Sequence, residues 1–202
     1  IKGIEFKNSK VLLVSGADRF GMAETFEKLG AKLTCGDLIF ALGLPIPLHS
    51  LKALDRVARI IAPIVMRLPF RYIYPTGTQQ ETTTQNNKYH DYYYQADYIA
   101  GDYHFIKKYT PEDLRGKILI TNTVTKEDII EMKRRGVSLL ATTTPNIEGR
   151  SFGTNVLEAA LVAISGSKSA ELTPMEYMEL LDTLQLTPYM KWLQASSVDD
   201  FV

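Results

Sequence analysis

The sequence has a single cysteine, Cys35, so no disulfide can form within the 202-residue chain. Chains without disulfides are typical of reducing compartments, and we therefore expect a cytoplasmic protein. Because Cys35 lies in an apolar stretch that predicts a buried strand, we interpret it as a small residue of the core.

Histidine is also scarce, with three residues (His49, His90 and His104) that are too scattered to suggest metal-ligand spacing. We therefore expect no metal site. The Gly-x-Ser-x-Gly pattern of hydrolase nucleophiles is absent, and no lysine follows Gly21 as a phosphate-binding loop of an NTPase would require. These absences argue against metalloenzymes, serine hydrolases and P-loop NTPases.

An excess of charge and a long apolar run are missing as well. The 23 basic residues balance the 23 acidic ones, and the longest apolar stretch, residues 38–48, is interrupted by Gly43, Pro45 and Pro47. We expect neither a nucleic-acid nor a membrane partner. The chain begins with Ile1 rather than methionine, which is compatible with a missing N-terminal domain that precedes it.

The clearest pattern present is a strand, a glycine-bounded turn, a helix and a second strand. The apolar run 10–14 leads into the turn 15–21, a helical pattern covers 22–29, and residues 30–35 resemble another strand. This is the opening unit of a nucleotide-binding α/β fold. We predict a Rossmann-like, doubly wound, mainly parallel sheet with helices on both faces, covering residues 1–170, with residues 171–202 forming a C-terminal helix and tail docked on it.

Three further apolar segments predict strands, at 98–100, 117–120 and 137–141, with a helix at 126–135 between the last two. Each strand is followed by small hydroxyl or amide residues. Because the carboxyl ends of parallel strands lie at one edge of a sheet, we expect these groups to line one crevice. The tail after residue 187 is expected to dock through Trp192.

The turn between the first strand and helix is an imperfect dinucleotide fingerprint. Asp18 stands where Gly-x-Gly-x-x-Gly has its middle glycine, and a carboxylate there takes space and repels a pyrophosphate. Asp37 follows the second strand at the distance where such folds keep a carboxylate for a ribose hydroxyl, although an ordinary turn aspartate is equally compatible. The predicted cofactor-binding residues of the two loops are Gly16, Ala17, Asp18, Arg19, Phe20, Gly21, Met22 and Asp37.

Asp102 and His104 form the best candidate acid–base pair. In an extended strand end, residues two apart point to the same side, so both could relay a proton at the crevice. The alternative is that Asp102 caps a turn. Arg150 can form a fork to a carboxylate or phosphate. The predicted substrate-binding residues near it are Arg150, Ser151, Thr154 and Asn155.

Two other segments have a periodic or aromatic pattern. Residues 49–66 predict an amphipathic helix that packs on the sheet, forms a dimer interface or lies on a membrane, with Pro63 kinking or ending it. A short strand is predicted at 71–74, followed by an exposed polar loop over 78–88. A tyrosine cluster between residues 89 and 94 predicts a partly buried helix, with stacking on a base or sugar as the alternative.

Four segments carry a resemblance to a known family: residues 14–24, 36–47, 100–106 and 148–156. Together they resemble bacterial quinate 5-dehydrogenase-like proteins, within the broader shikimate and quinate dehydrogenases. The resemblance implies a Rossmann domain that binds NAD or NADP, hydride transfer on a small hydroxy acid, and an additional N-terminal region. It also implies that the post-strand segment Thr121, Asn122 and Thr123 flanks the nicotinamide. The lysine segment of that family's catalytic site has no match in this chain.

Two functions follow as hypotheses from the sequence. In the first, the chain is the NAD(P)-binding part of an oxidoreductase of the quinate or shikimate type acting on a small anionic substrate. In the second, it is a non-catalytic module that holds a small anionic metabolite or a nucleotide at the same edge. The missing lysine and Asp18 favour the second, and a homodimer is compatible with both.

Overall fold

The computed structural model describes residues 4–65, 67, 87–166 and 172–194. Within them the strands are β1 (Lys10–Leu13), β2 (Lys32–Cys35), β3 (Tyr98–Ala100), β4 (Ile118–Thr121), β5 (Leu139–Thr142), β6 (Asn146–Ile147), β7 (Arg150–Ser151) and β8 (Met190–Trp192). The α-helices are α1 (Phe20–Lys28), α2 (Leu51–Val65), α3 (His90–Gln95), α4 (Tyr103–Tyr109), α5 (Lys126–Arg134), α6 (Thr154–Ser165) and α7 (Pro174–Thr183). A π-helical turn covers Asp37–Ala41, and a 3₁₀ turn covers Asn87–Tyr89.

The described strands form a mainly parallel sheet in the order β2–β1–β3–β4–β5–β8. The first five strands are parallel to one another, and β8 pairs with β5 in the antiparallel direction. A separate hairpin consists of β6 and β7. The predicted α/β class and parallel sheet are confirmed.

Apolar side chains cover the sheet on both faces, as a doubly wound fold requires. Successive residues of β1 point to opposite sides. Leu12 belongs to a buried cluster with Tyr93 and Ile106 from α3 and α4, whereas Leu13 belongs to a second cluster with Phe26 and Leu54 from α1 and α2. The run of apolar residues in β1 therefore reflects burial on two faces rather than alternation.

The chain reverses its winding direction between β1 and β3. From β1 it moves outward to β2, and it then returns to place β3 on the other side of β1. In open α/β sheets, the crevice at the carboxyl ends of the strands at this point is where ligands bind. The turn 15–21 after β1 and residues 101–102 after β3 lie on its two sides.

The end of the described chain differs from the prediction. Residues 190–192 form β8 at the edge of the sheet, and Trp192 is 63% exposed, so the tryptophan does not dock the tail. Leu193, which is 3% exposed, packs into the core instead. The antiparallel pairing was not visible in the sequence, because a three-residue strand carries too little pattern.

The predicted helix over 49–66 is confirmed as α2, which contains Pro63 and ends two residues after it. The tyrosine cluster is confirmed as a packed helix, because Tyr89 and Tyr93 are buried in the core. The strand predicted at 71–74 and most of the loop predicted at 78–88 lie outside the described residues.

Candidate functional site

The turn between β1 and α1 is held by a carboxylate from the next loop. Asp37 accepts hydrogen bonds from the backbone N–H groups of Gly16, at 3.0 Å, and Ala17, at 2.8 Å. Asp37 belongs to the first residues after β2, so the contact joins the carboxyl ends of adjacent parallel strands. In this arrangement an aspartate occupies two amides that the dinucleotide fingerprint would offer to a phosphate.

This contact bears on the predicted role of Asp37. Burial raises the pKa of the Asp37 carboxyl, and the hydrogen bonds from Ala17 and Gly16 oppose that rise. Because both oxygens of the Asp37 carboxylate accept hydrogen bonds from the turn, they are less available to bond a ribose hydroxyl. Asp37 therefore lies next to the turn, and its contacts in this structure are with the protein backbone.

Arg19 extends from the turn across the crevice. Its Nη1 donates to Thr154 Oγ1 at 3.1 Å, its Nη2 lies 3.4 Å from Asp102 Oδ2, and its side chain is 20% exposed. The guanidinium thus connects the first turn of α1 with the start of α6 and the end of β3. Its Nε is buried and has no hydrogen-bond partner among the described residues.

Asp102 and His104, the predicted catalytic pair, do not have the extended geometry on which that prediction was based. Asp102 is the N-cap of α4 and accepts from the backbone N–H of His104 at 2.9 Å, so the two residues do not lie on an extended segment. Asp102 therefore has a capping role, as in the alternative given by the sequence. Asn122 Nδ2 donates to the same carboxylate at 3.1 Å, which leaves Asp102 buried within a polar network.

A cleft of about 220 Å³ lies at this edge of the sheet. It contains most of the predicted cofactor-binding loop together with the ends of β3, β4 and β5 and the start of α6. Its lining residues are Asp18, Arg19, Phe20, Gly21, Met22, Gly101, Thr121, Asn122, Thr143 and Thr154. The inference that polar strand ends share one crevice therefore agrees with the structure.

Two helices begin at the cleft without a side-chain cap. In α1 the N-cap position is Arg19, and in α6 it is Gly153; neither provides a side-chain acceptor, and no acidic residue lies in either first turn. The first N–H groups of a helix have no intrahelical acceptor and carry partial positive charge. Together with Arg19, they give one side of the cleft an anion-binding character.

Asp18 gives the cleft a negative side. Its side chain is 52% exposed, and its Oδ2 lies 3.8 Å from Arg19 Nε. Burial raises the pKa of the Asp18 carboxyl; the Arg19 charge opposes this rise, while Asp102 and Asp37 add to it. The carboxylate predicted to disturb the glycine turn therefore faces the cleft beside the guanidinium.

Several predicted residues lie elsewhere or have structural contacts. Arg150 is exposed, does not line the cleft, and has its guanidinium 5.9 Å from the centre of the Phe152 ring. Ser151 is fully buried, where its hydroxyl donates to Asn122 O and accepts from Val124 N. Thr121 lines the cleft, although its hydroxyl donates to Gly101 O at 2.8 Å.

The remaining predicted residues flank the cleft without lining it. Asn155 follows Thr154 on the exposed side of α6 and Thr123 is partly buried, while the Gly16 and Ala17 amides point at Asp37. Thr154 is the predicted substrate residue that the structure does bring to Arg19.

Two cleft residues were not among the predicted site residues. Thr143 follows β5, and its Oγ1 is buried without a hydrogen-bond partner among the described residues. Gly101 follows β3 with φ of 130°, and a Cβ atom there would lie 2.7 Å from Val14 Cγ2. The sequence signal that could have identified Gly101 and Thr143 is their position at the ends of predicted strands.

The described part of the chain offers neither a cluster of metal ligands nor a helix that could span a membrane. It contains no group of three or more histidine, cysteine, aspartate or glutamate residues placed to hold a metal ion. None of its helices is both long and apolar enough to cross a membrane. A larger cavity of about 430 Å³ lies near the amino ends of β1 and β2, away from the strand ends described above.

Comparison with known proteins gives a family without a described activity. The sequence model of Domain of unknown function (DUF8754) matches residues 2–193. The chain belongs to this family. No curated protein and no solved structure matches it.

Proposed function

We propose that this protein binds a small metabolite through an anionic group in the cleft at the carboxyl ends of β1, β3 and β4. The observation that carries the proposal is the guanidinium of Arg19, which lines the polar cleft with its side chain 20% exposed, while its buried Nε has no hydrogen-bond partner within the described residues. Buried polar atoms are rarely left unpaired in folded proteins. An anion bound at the accessible part of the guanidinium would add an acceptor to this side chain.

The surroundings of Arg19 support the same conclusion. The starts of α1 and α6 bring uncapped backbone N–H groups to the cleft, and Thr154 holds the guanidinium from the other side. An arginine and a helix N-terminus both favour a carboxylate or phosphate over a neutral group. In this proposal Arg19 binds the anion, and Asp102 and Asn122 position Arg19.

The size of the cleft favours a small ligand over a dinucleotide. Sites for drug-sized ligands and cofactors occupy about 300–1,000 Å³, whereas this cleft has about 220 Å³. Asp37 also occupies the amides of Gly16 and Ala17 that a pyrophosphate would use. Both observations weigh toward the non-catalytic module of the two sequence-based hypotheses.

NAD(P)-dependent hydride transfer on a quinate- or shikimate-like hydroxy acid is the second candidate. It is favoured by the glycine-bounded turn at the point where the strand order reverses, and by Thr121 and Asn122 at the end of the adjacent strand. In that case Asp37 would have to leave the turn when the cofactor binds.

Calorimetry separates the two candidates. NAD⁺, NADH, NADP⁺, NADPH, quinate, L-malate and inorganic phosphate are titrated into the unmodified chain, Arg19→Gln, Asp18→Gly and the control Arg59→Gln. Arg59 is an exposed arginine of α2 paired with Asp55, so its replacement changes the same net charge away from the cleft.

The proposal predicts that at least one small metabolite with an anionic group, from this set or from the amino acids of the next subsection, binds the unmodified chain and Arg59→Gln, and that Arg19→Gln weakens this binding at least tenfold. Micromolar binding of a dinucleotide would instead favour the oxidoreductase. Dinucleotide binding that appears only with Asp18→Gly would indicate a cofactor site altered by that carboxylate. If no dinucleotide and no small metabolite with an anionic group binds, the amino acids of the next subsection included, the proposed function is wrong.

A further inference from the structure

The cleft has two electrostatically different sides. Arg19 and the uncapped starts of α1 and α6 form the positive side. Asp18 forms the negative side, and it is the carboxylate among the described cleft-lining residues that a ligand can reach. Among the described residues that line this cleft there is no lysine or histidine.

The second nearby carboxylate, Asp102, is already committed. It is 5% exposed, and it accepts from His104 N, Asn122 Nδ2 and Arg19 Nη2. Its charge nevertheless offsets part of the charge of Arg19. Each helix start contributes about half an elementary positive charge, so that Arg19 and the two helix starts together roughly balance the negative charges of Asp18 and Asp102. The cleft as a whole is therefore close to neutral, and its positive and negative sides lie next to each other.

A ligand that carried only negative charge would fit this arrangement poorly. An anionic group bonded to the accessible part of the Arg19 guanidinium would lie near Asp18, whose Oδ2 is 3.8 Å from Arg19 Nε. Two anions at such a distance repel each other. A donor with positive charge, placed next to the anionic group of the ligand, would remove this repulsion and bond Asp18.

We propose that the ligand is a zwitterion of the α-amino acid type, with its carboxylate on Arg19 and the helix starts and its ammonium group on Asp18. This inference rests on the proposed function, because it names the class of small metabolite that the cleft binds. The two charged groups of an α-amino acid are separated by one carbon atom, which matches the short separation of Asp18 and Arg19.

The rest of the cleft favours an apolar side chain on this amino acid. Phe20 and Met22 line the cleft, and Phe20 is 39% exposed although it is a large hydrophobic residue. The volume of about 220 Å³ equals that of roughly seven water molecules, which is enough for a small or medium amino acid. Leucine, valine, methionine and phenylalanine cover the relevant range of sizes.

A set of matched ligands tests the proposal with the unmodified chain. L-Leucine has both charges, L-2-hydroxy-4-methylpentanoate replaces the ammonium by a hydroxyl, 4-methylpentanoate has neither donor, and L-leucinamide lacks the carboxylate. Binding of these four compounds is measured by calorimetry at neutral pH, and L-valine, L-methionine and L-phenylalanine are compared with their 2-hydroxy analogues in the same way.

We expect at least one amino acid to bind, with its hydroxy analogue at least tenfold weaker and the simple carboxylate and the amide weaker still. Asp18→Asn removes the negative charge while keeping the shape of the side chain, so it is expected to abolish the preference for the amino acid. Glu24→Gln is the matched control, because Glu24 is an exposed carboxylate of α1 that pairs with Lys28 away from the cleft. It should leave the preference unchanged.

The remaining outcomes overturn this inference and differ in what they mean for the proposed function. If the hydroxy acids or simple carboxylates bind the unmodified chain as well as the amino acids do, or if Asp18→Asn leaves the preference for the amino acid unchanged, the site is an anion site and the zwitterion is wrong. The same holds if quinate, L-malate or phosphate binds and no amino acid does. If none of these compounds binds, both proposals fail.

Discussion

The carboxylate of Asp37 accepts a hydrogen bond of 2.8 Å from the backbone N–H of Ala17, twenty residues earlier in the chain. The second oxygen of the same carboxylate accepts from Gly16 N. The loop after β2 therefore shapes the loop after β1, and the conformation that brings Asp18 and Arg19 to the cleft depends on a residue that does not line it.

Asp37→Ala is expected to destabilise the protein by about 2 kcal/mol, because two backbone N–H groups lose their acceptor. Chemical denaturation measures the loss. Asp55→Ala is the control, since Asp55 is exposed on α2 and pairs only with Arg59 among the described residues. An Asp37→Ala variant as stable as the control would show that the turn does not need this carboxylate.

The same residue should make stability depend on pH. Because burial raises the pKa of Asp37, the folded protein holds this proton more tightly than the unfolded chain does. The contribution of Asp37 to stability therefore falls as the pH rises from the ordinary aspartate pKa of about 3.9 through the raised pKa of the folded state. Asp37→Asn should remove this part of the pH dependence in denaturation experiments between acidic and neutral pH.

The two glycines of the turn should respond in opposite ways to alanine. At Gly16 a Cβ atom would lie 3.0 Å from Leu54 Cδ2 and 3.1 Å from Asp37 Oδ2, whereas at Gly21 it would meet nothing within 4 Å. We expect Gly16→Ala to lower the free energy of unfolding by about 1–3 kcal/mol through crowding. Gly21→Ala should raise it by about 0.5–1 kcal/mol, because Gly21 lies in α1. Thermal denaturation of the pair decides whether both glycines are structurally required.

Cys35 should be unreactive in the folded protein. It is fully buried, and burial, together with the charges of Asp37 and Glu27, raises the pKa of its thiol to about 12. The thiolate is the reactive form, so alkylation by iodoacetamide at pH 8 should be negligible until denaturant unfolds the chain. Rapid labelling of the native protein would contradict the buried position, and Cys35→Ala provides the unlabelled control.

Glu131 should support α5 through the arginine that follows the helix. Its carboxylate lies 2.7 Å from Nε of the buried Arg135, and hydrogen bonds from Arg134 and Arg135, together with their charges, lower the pKa of Glu131 to about 2. This stabilisation is thus present at pH values above the ordinary glutamate pKa of about 4.3, and it is lost as the pH falls toward the lowered pKa of about 2. Glu131→Gln should cost about 1 kcal/mol at neutral pH and less in acid. The exposed Glu112 gives the control variant, Glu112→Gln, which should change stability little.

Leu193 and Trp192 give a matched test of how the chain end docks. Leu193 is 3% exposed and Trp192 is 63% exposed. Leu193→Ala should lower the free energy of unfolding by about 2–5 kcal/mol, whereas Trp192→Ala should have a small effect. Acrylamide should quench the fluorescence of this single tryptophan in the native protein nearly as well as in the unfolded chain.

The strongest local patterns predicted the fold. An apolar run before a glycine-bounded turn fixed β1 and α1, and the polar residues after later strands indicated the shared edge because parallel strands end together. The strand β8 was missed since its three residues carry no alternation of buried and exposed positions, all three being exposed. The π-helical turn at Asp37–Ala41 had no sequence signal either.

The candidate site was predicted less completely, because its contacts join distant parts of the chain. Nothing in the local sequence indicates that Arg19 donates to Thr154, or that Asp37 faces the Gly16 amide rather than the cleft. Arg150 was chosen for its glycine-flanked position, yet the β6–β7 hairpin holds it at the surface beside Phe152. Asp102 and His104 were expected on one extended strand end, whereas a helix begins directly after Asp102 and that residue caps it.

The antiparallel strand β8 also bears on how the chain avoids self-association while it folds. Until residues 190–192 pair with β5, the unpaired edge of that buried, apolar strand can accept a strand from another molecule. Among the described strands, β8 is the last in the chain and also the one that closes this edge. A chain truncated before residue 190 would lack β8 and would present the edge of β5 as a template for aggregation.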